Sequence, residues 1–332
     1  MTLKKKNLTI FLFIILFVPF KVMSQNQKPV PIIFDSDMGP DYDDVGAITL
    51  LHAFADSGEA KILATVASNR YPKIAQVFDV FNTYFGRPNI PIGVPKGASL
   101  EIKDWQGWSD YIVSKYPHDI TSNNDVLSSV EVYRKVLSNQ PDHSVTIETE
   151  GFLTNLADLL ESRSDQYSSL SGMDLVQKKV KKLVCMGGKF PSGTEFNVAK
   201  DAPASDFVFK NWPTKIIFSG YKIGEKIKTG IPLIENESIK NSPVKDVFSI
   251  SIPQAKEDKK GRMSWDETAV LVAIRGADPY YYLIPGRARV DSDGKTTWDT
   301  SKTGHYRLVE KKSVEYMQDL INTLMQHQPS NN

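Results

Sequence analysis

Short apolar runs alternate with segments whose apolar residues recur at helical spacing, and that alternation restricts the chain to a mostly parallel sheet with helices on both faces. Val30–Phe34 has the length and composition of a buried strand. Val45, Ile48, Leu51 and Ala55 then follow a helical period, Lys61–Ala67 forms a second strand, and Ile74, Val77, Phe78, Phe81, Tyr84 and Phe85 draw one apolar stripe on a second helix. The pattern continues with helices at Val126–Leu137 and Leu153–Leu160 and strands at Val145–Thr149, Val180–Met186 and Lys215–Phe218. The expected fold class is therefore α/β, built as a single open sheet. Leu100–Pro117 holds Trp105, Trp108 and Tyr111 without a clear period and reads as a long, partly aromatic loop, a type often used for binding. Lys256–Arg262, charged and containing glycine, reads as an exposed lid or loop ahead of a helix starting near Trp265.

The N-terminus has a different character. Lys4, Lys5 and Lys6 precede an apolar run from Leu8 to Phe20, and Val22-Met23-Ser24 offers a small-residue cleavage site. Residues 1–24 thus read as a secretory signal, with 25–332 as one domain; a membrane span needs about 20 apolar residues, more than this run supplies. The expected location is exported, periplasmic or secreted, with no stable membrane anchor. Lys and Arg total 40 against 39 acids, and removal of a segment with four lysines and no acid turns a net charge of +1 into −3. A net-negative domain is a poor binder of nucleic acid polymers. The single cysteine, Cys185, permits no intrachain disulfide, so stability rests on the core.

The chemistry concentrates between the first strand and the first helix. Asp35, Asp37, Asp41, Asp43 and Asp44 place five carboxylates in ten residues, at the edge of a parallel sheet where open α/β folds bind ligands. So many acids repel one another unless a cation sits among them, and hard divalent ions such as Ca²⁺ take oxygen donors of this kind. Two other readings stand beside a metal site. Asp43 or Asp44 capping the helix, with Asp41 starting a turn, explains one or two of the five. An Asp-x-Asp after a first strand also opens haloacid-dehalogenase-like phosphotransferases, although the downstream motifs of that group are not evident here.

Further along, the sequence resembles the inosine-uridine-type nucleoside hydrolases, from about Pro29 to at least Val272. The resemblance rests on the Asp-x-Asp opening, stretched by two residues so that its closing pair falls on Asp43 and Asp44, and on motifs in family order: Val66-Ala-Ser-Asn69, Glu150-Gly-Phe-Leu-Thr-Asn155, Met186-Gly-Gly188, Glu195-Phe-Asn197 and Trp265-Asp266-Glu-Thr-Ala269. It implies that Asp37, Asp44 and Asp266 ligate Ca²⁺ together with the backbone carbonyl of Glu150, and that Asp37 is the catalytic base. It also implies that Asp43, Asn69, Glu195 and Asn197 hold the ribose hydroxyls, with Met186 and Trp265 in the substrate pocket. Cleavage of an N-glycosidic bond passes through an oxocarbenium-like state, and a positioned water, a base and a grip on the sugar answer its needs.

Two departures stand out. Trp265 occupies the position where many members carry a proton-donating His, and Trp105-Gln-Gly-Trp108 replaces a His-Gly loop. Of the five histidines, His305 in Gly304-His-Tyr reads as a surface or core residue ahead of the alternative that its late position brings it to the pocket; His52 lies within the first helix, and His118, His143 and His327 sit in polar contexts suggesting exposure. Asp291-Ser-Asp293-Gly294 reads as a hairpin turn, because Lys302 stands where a calcium loop needs Glu. The expected function is calcium-dependent hydrolysis of ribonucleosides or related N-ribosides to ribose and free base. The alternative is an exported, calcium-dependent ribose- or nucleoside-binding protein without turnover. The partner is a small molecule in both cases, and the sequence leaves the oligomeric state open, a homo-oligomer included.

Overall fold

Thirteen strands carry the architecture of residues 28–329, the part of the chain that the computed structural model describes; the expected signal, residues 1–24, lies outside the described residues. In chain order they are β1 (Val30–Ser36), β2 (Ala60–Ala67), β3 (Ile92–Val94), β4 (Leu127–Ser128), β5 (Val145–Thr149), β6 (Val180–Met186) and β7 (Ser192–Thr194). There follow β8 (Lys215–Ser219), β9 (Lys228–Thr229), β10 (Arg262–Met263), β11 (Tyr281–Val290), β12 (Lys295–Asp299) and β13 (His305–Glu310). Eleven of them form one sheet in the order β4-β3-β2-β1-β5-β6-β8-β13-β11-β12-β7, while β9 and β10 make a separate ribbon. Every pairing from β4 to β13 is parallel, and the last three pairings are antiparallel. The open, mostly parallel sheet expected from the alternation is present. The turn at Asp291–Gly294 does close a hairpin, with Gly294 N–H donating to the Asp291 carbonyl at 3.0 Å.

Strand order reverses beside β1: β2, β3 and β4 lie on one side of it and β5 onward on the other. That is a topological switch point, where the carboxyl ends of neighbouring strands leave a crevice. Side chains of β1 alternate between two cores. Ile32 and Phe34 pack with α1 (Asp43–Asp56), α2 (Ile74–Tyr84) and the helix Trp265–Arg275; Ile33 packs with helices Ser129–Ser138, Thr154–Glu161 and Ala202–Asn211 on the other face. Each such buried apolar side chain contributes about 1.5–3 kcal/mol. Helix α1 is buried on every side from Asp43 to Phe54, so its apolar residues exceed the single stripe its spacing suggests.

Some expectations change. The stretch Leu100–Pro117 is not all loop: Trp108–Lys115 forms a helix, α3, entered through Gly107 at φ 71°, and Trp108 is buried with its indole N–H donating to the Asp41 carbonyl at 3.1 Å. Trp105 stays exposed on the loop. Lys256–Arg262 is only partly exposed, because Asp258 and Arg262 turn inward to form an ion pair. His118 and His327 are half-buried rather than exposed, since both ring nitrogens of His118 meet carbonyls and His327 pairs with Asp56. The segment Leu308–His327 completes the core, the helix Val314–Met325 contributing Met317, Ile321 and Met325.

Candidate active site

The turn from β1 into α1 is built around Asp44. Its carboxylate accepts from Ser36 Oγ at 2.5 Å, Met38 N at 2.9 Å and Gly39 N at 3.3 Å, bonds that hold Met38 in a left-handed conformation with φ 43°. Neither Asp43 nor Asp44 caps α1 by its side chain; the cap position is Tyr42, and it makes no such bond. Asp43 reaches across to another element, accepting from Trp265 N at 3.2 Å and Arg262 Nε at 3.0 Å. Both acids nonetheless sit in the first turn of α1, where the helix dipole favours negative charge.

Three further elements converge on this turn. Glu150 directly follows β5, and Gly151 after it lets that strand end close on β1: a Cβ there would lie 2.5 Å from the Asp37 amide nitrogen. Asp266 lies in the first turn of the helix Trp265–Arg275. Glu195 caps the short helix Phe196–Lys200, its oxygens accepting from Asn197 N at 2.7 Å and from Val198 N and Gly188 N, both at 3.1 Å. Carboxylate oxygens of Asp44, Glu150 and Asp266 lie within 4.8 Å of one another. Asp37 Oδ2 and both oxygens of the Glu150 side chain are buried without a hydrogen-bond partner.

Burial first, and neighbouring carboxylates second, push Asp37, Glu150 and Asp266 well above the usual carboxylate range. Asp44 rises to about 6 by burial and the Asp43 charge, opposed by its bond from Ser36. Four buried acids, with orphaned oxygens on Asp37 and Glu150, fit a hard divalent cation, which takes oxygen donors and removes their mutual repulsion. Arg262 is the counter-charge on the other side. It is buried, pairs with Asp41 and Asp43, and reaches Asp258, which in turn accepts from Tyr42 Oη at 2.6 Å.

A cavity of about 250 Å³ opens above these acids. Asp37, Asp43, Glu150 and Asp266 form its buried floor, and Met186, Glu195 and Asn197 one wall. The mouth is aromatic. Trp105, 61% exposed, meets Phe196 edge to face with ring centres 5.9 Å apart, and Tyr221 lies 5.1 Å from Trp265. Glu257, Arg262 and Met263 complete the mouth. Trp265 Nε1 donates to the Tyr221 carbonyl at 2.7 Å, and the Arg262 guanidinium lies 5.0 Å from its ring centre.

Of the residues singled out from the sequence, Asp37, Asp43, Glu150, Met186, Glu195, Asn197, Trp265 and Asp266 line this cavity, and Asp44 stands beside Glu150 and Asp266. Asn69 does not line it. Its amide accepts from Ile102 N at 3.0 Å and Arg70 N at 2.9 Å and donates to the Ile102 carbonyl at 2.5 Å, so it ties the aromatic loop to the end of β2. His305 is in β13, away from the cavity; burial lowers its pKa to about 4, and its Nδ1 accepts from Ala288 N at 3.1 Å. Trp108 is behind the wall as well. Asp35, the nucleophile a phosphotransferase reading requires, is fully buried, enclosed by Tyr133 Oη at 2.7 Å and Asn155 Nδ2 at 3.0 Å, and does not line this cavity, which removes that reading. Tyr221, Glu257 and Arg262 belong to no periodic pattern that marks them in the sequence, and Phe196 is an aromatic between the polar motif residues Glu195 and Asn197.

The model of the family described as inosine-uridine preferring nucleoside hydrolase matches residues 32–323. No curated protein matches the chain. Among solved structures, a plant nucleoside hydrolase, PpNRh1, is 20% identical with a TM-score of 0.64, covering 90% of this chain and 98% of its own. An inosine-uridine preferring nucleoside hydrolase from Bacillus anthracis is 16% identical with a TM-score of 0.67, covering 89% and 99%. The type III effector protein XopQ, solved with adenosine diphosphate ribose, is 15% identical with a TM-score of 0.68, covering 90% and 94%. At these identities the structural likeness speaks for the fold.

Proposed function

The chain belongs to the inosine-uridine preferring nucleoside hydrolase family and is a hydrolase acting on N-glycosyl compounds, and from that premise we propose that it splits ribonucleosides or related N-ribosides into ribose and free base with calcium as its cation. The observation that carries the calcium part is the convergence of buried acids: oxygens of Asp44, Glu150 and Asp266 lie within 4.8 Å, and Asp37 Oδ2 beside them has no partner. Asp37, Asp44, Glu150 and Asp266 would hold the ion. When bound, it polarises water and lowers its pKa, so that a carboxylate is a sufficient base.

Asp37 receives the proton, being a cavity-lining carboxylate with an oxygen bonded to nothing else. The ribose rests against Asn197, Glu195 and Asp43. Asn197 commits its Nδ2 to the Glu150 carbonyl and keeps its amide oxygen for a hydroxyl. Glu195 and Asp43 already accept backbone or guanidinium donors, yet a carboxylate has about four acceptor positions and keeps room for hydroxyls. Positive charge growing at the anomeric carbon meets a floor of carboxylates. The base occupies the aromatic mouth, stacking on Trp265, Trp105 or Tyr221. Trp265 supplies no proton, its indole N–H being engaged by the Tyr221 carbonyl. The N-terminal lysines and apolar run support export, into a periplasm or the medium, and mature protein beginning at or near Gln25 checks that reading.

The lack of a histidine among the described lining residues favours a second reading, a binding protein that keeps its sugar site without turnover. Incubation with purine and pyrimidine nucleosides separates the two. Reducing sugar and free base appearing together support hydrolysis; intact nucleoside retained in equilibrium dialysis, with no sugar formed, supports binding alone.

A further inference from the structure

The resemblance assigns one cation ligand to the backbone carbonyl of Glu150, a neutral donor that any residue type supplies. In this chain that carbonyl accepts from Asn197 Nδ2 at 2.9 Å. The side chain is the part left over. It is 1% exposed, both its oxygens lack a hydrogen-bond partner, and it lies with Asp44 and Asp266 so that oxygens of all three fall within 4.8 Å. Glu148, Asp44, Asp43, Glu267 and Asp266, all acids, act on it. Nor does the backbone offer it an escape, because Glu150 N donates to the Asp35 carbonyl at 2.9 Å and Gly151 packs against Asp37.

We propose that the Glu150 carboxylate, rather than its carbonyl, is a ligand of the cation held at Asp37, Asp44 and Asp266. The proposal rests on the calcium reading above. It gives the site four carboxylates where a carbonyl ligand leaves three. Calcium affinity follows the number of charged ligands, and a trivalent lanthanide gains more from the added charge than calcium does.

Calcium titration calorimetry on the full mature chain, with melting curves with and without calcium, tests this in the wild type, Glu150→Gln and Glu150→Ala. Both variants are expected to weaken calcium binding at least ~10-fold and to shrink the calcium-induced rise in Tm, while the metal-free Tm stays level or rises because a buried like charge is gone. The preference for Tb³⁺ over Ca²⁺, read by competition, should fall in the same variants. Glu150→Gln preserves volume and carries the test should Glu150→Ala fold poorly. Wild-type calcium affinity in Glu150→Ala overturns the proposal, because alanine retains the carbonyl. A wild type that binds neither calcium nor Tb³⁺ overturns it together with the reading it rests on, whereas tight wild-type binding with unchanged variants overturns it alone.

Discussion

Trp265 joins two parts of the cavity: its backbone amide is held by Asp43 on the acidic floor, and its ring forms part of the aromatic mouth. With its indole nitrogen spent on the Tyr221 carbonyl, the ring can stack on a base but not protonate it. Stacking of this kind contributes about 1–3 kcal/mol. Trp265→Ala should therefore cut turnover of purine nucleosides roughly 5- to 150-fold. p-Nitrophenyl riboside, whose leaving group needs no proton, should be affected far less. His305→Ala should leave the ratio of the two substrates unchanged, since that ring is buried in β13 with its Nδ1 bonded to Ala288 N. Loss of nucleoside hydrolysis alone in His305→Ala would reverse this assignment. Most of the floor could be read from the sequence because its acids fall in short ordered motifs. Arg262 could not, because a lone arginine in a charged stretch looks like solvated surface until Asp41, Asp43 and Asp258 are brought around it.

The elements that carry the site were readable in proportion to how local their signals are. Val145–Thr149 and Val180–Met186 have the bounds their apolar runs suggest, since a buried strand declares itself residue by residue. The helix Trp108–Lys115 was hidden because it buries only Trp108, Ser109 and Ile112 and so leaves no apolar stripe. The antiparallel end of the sheet depends on pairing between distant segments, as between β12 and β7, which no local pattern records. One contact between elements positions Asp266. A Cβ on Gly224, at the end of the short helix Tyr221–Gly224, would lie 2.4 Å from Trp265 Cα and 2.5 Å from the Ser264 carbonyl oxygen. Both are backbone-bound atoms that cannot rotate away. Gly224→Ala should thus destabilise the protein by about 1–3 kcal/mol and, by displacing the helix start, weaken calcium binding. A Tm and a calcium affinity equal to wild type would show that the two helices adjust without moving Asp266.

At the scale of the whole molecule, the buried acids couple stability to both pH and cation. Asp35 is raised to about 7 by burial and Asp44 to about 6, while the unfolded chain keeps such groups near 4. Between those values the metal-free folded state binds more protons than the unfolded one, so its stability is present at low pH and is lost as pH rises through the folded pKa values. The chelated protein should accordingly melt lower at about pH 8 than at about pH 5, and the rise in Tm on adding calcium should grow over the same interval, because the ion binds the deprotonated acids. A chelated Tm that climbs with pH would contradict the placement of these acids. A cation role in N-riboside hydrolysis, with Asp37, Asp44, Glu150 and Asp266 as its proposed ligands, is tested most directly by ribose release from a nucleoside. It should be followed in chelated protein before and after calcium is restored, with Asp37→Asn alongside. Release should stop on chelation, return with calcium and fall at least ~10²-fold in folded Asp37→Asn. Release that persists without metal, or survives in Asp37→Asn, would contradict this.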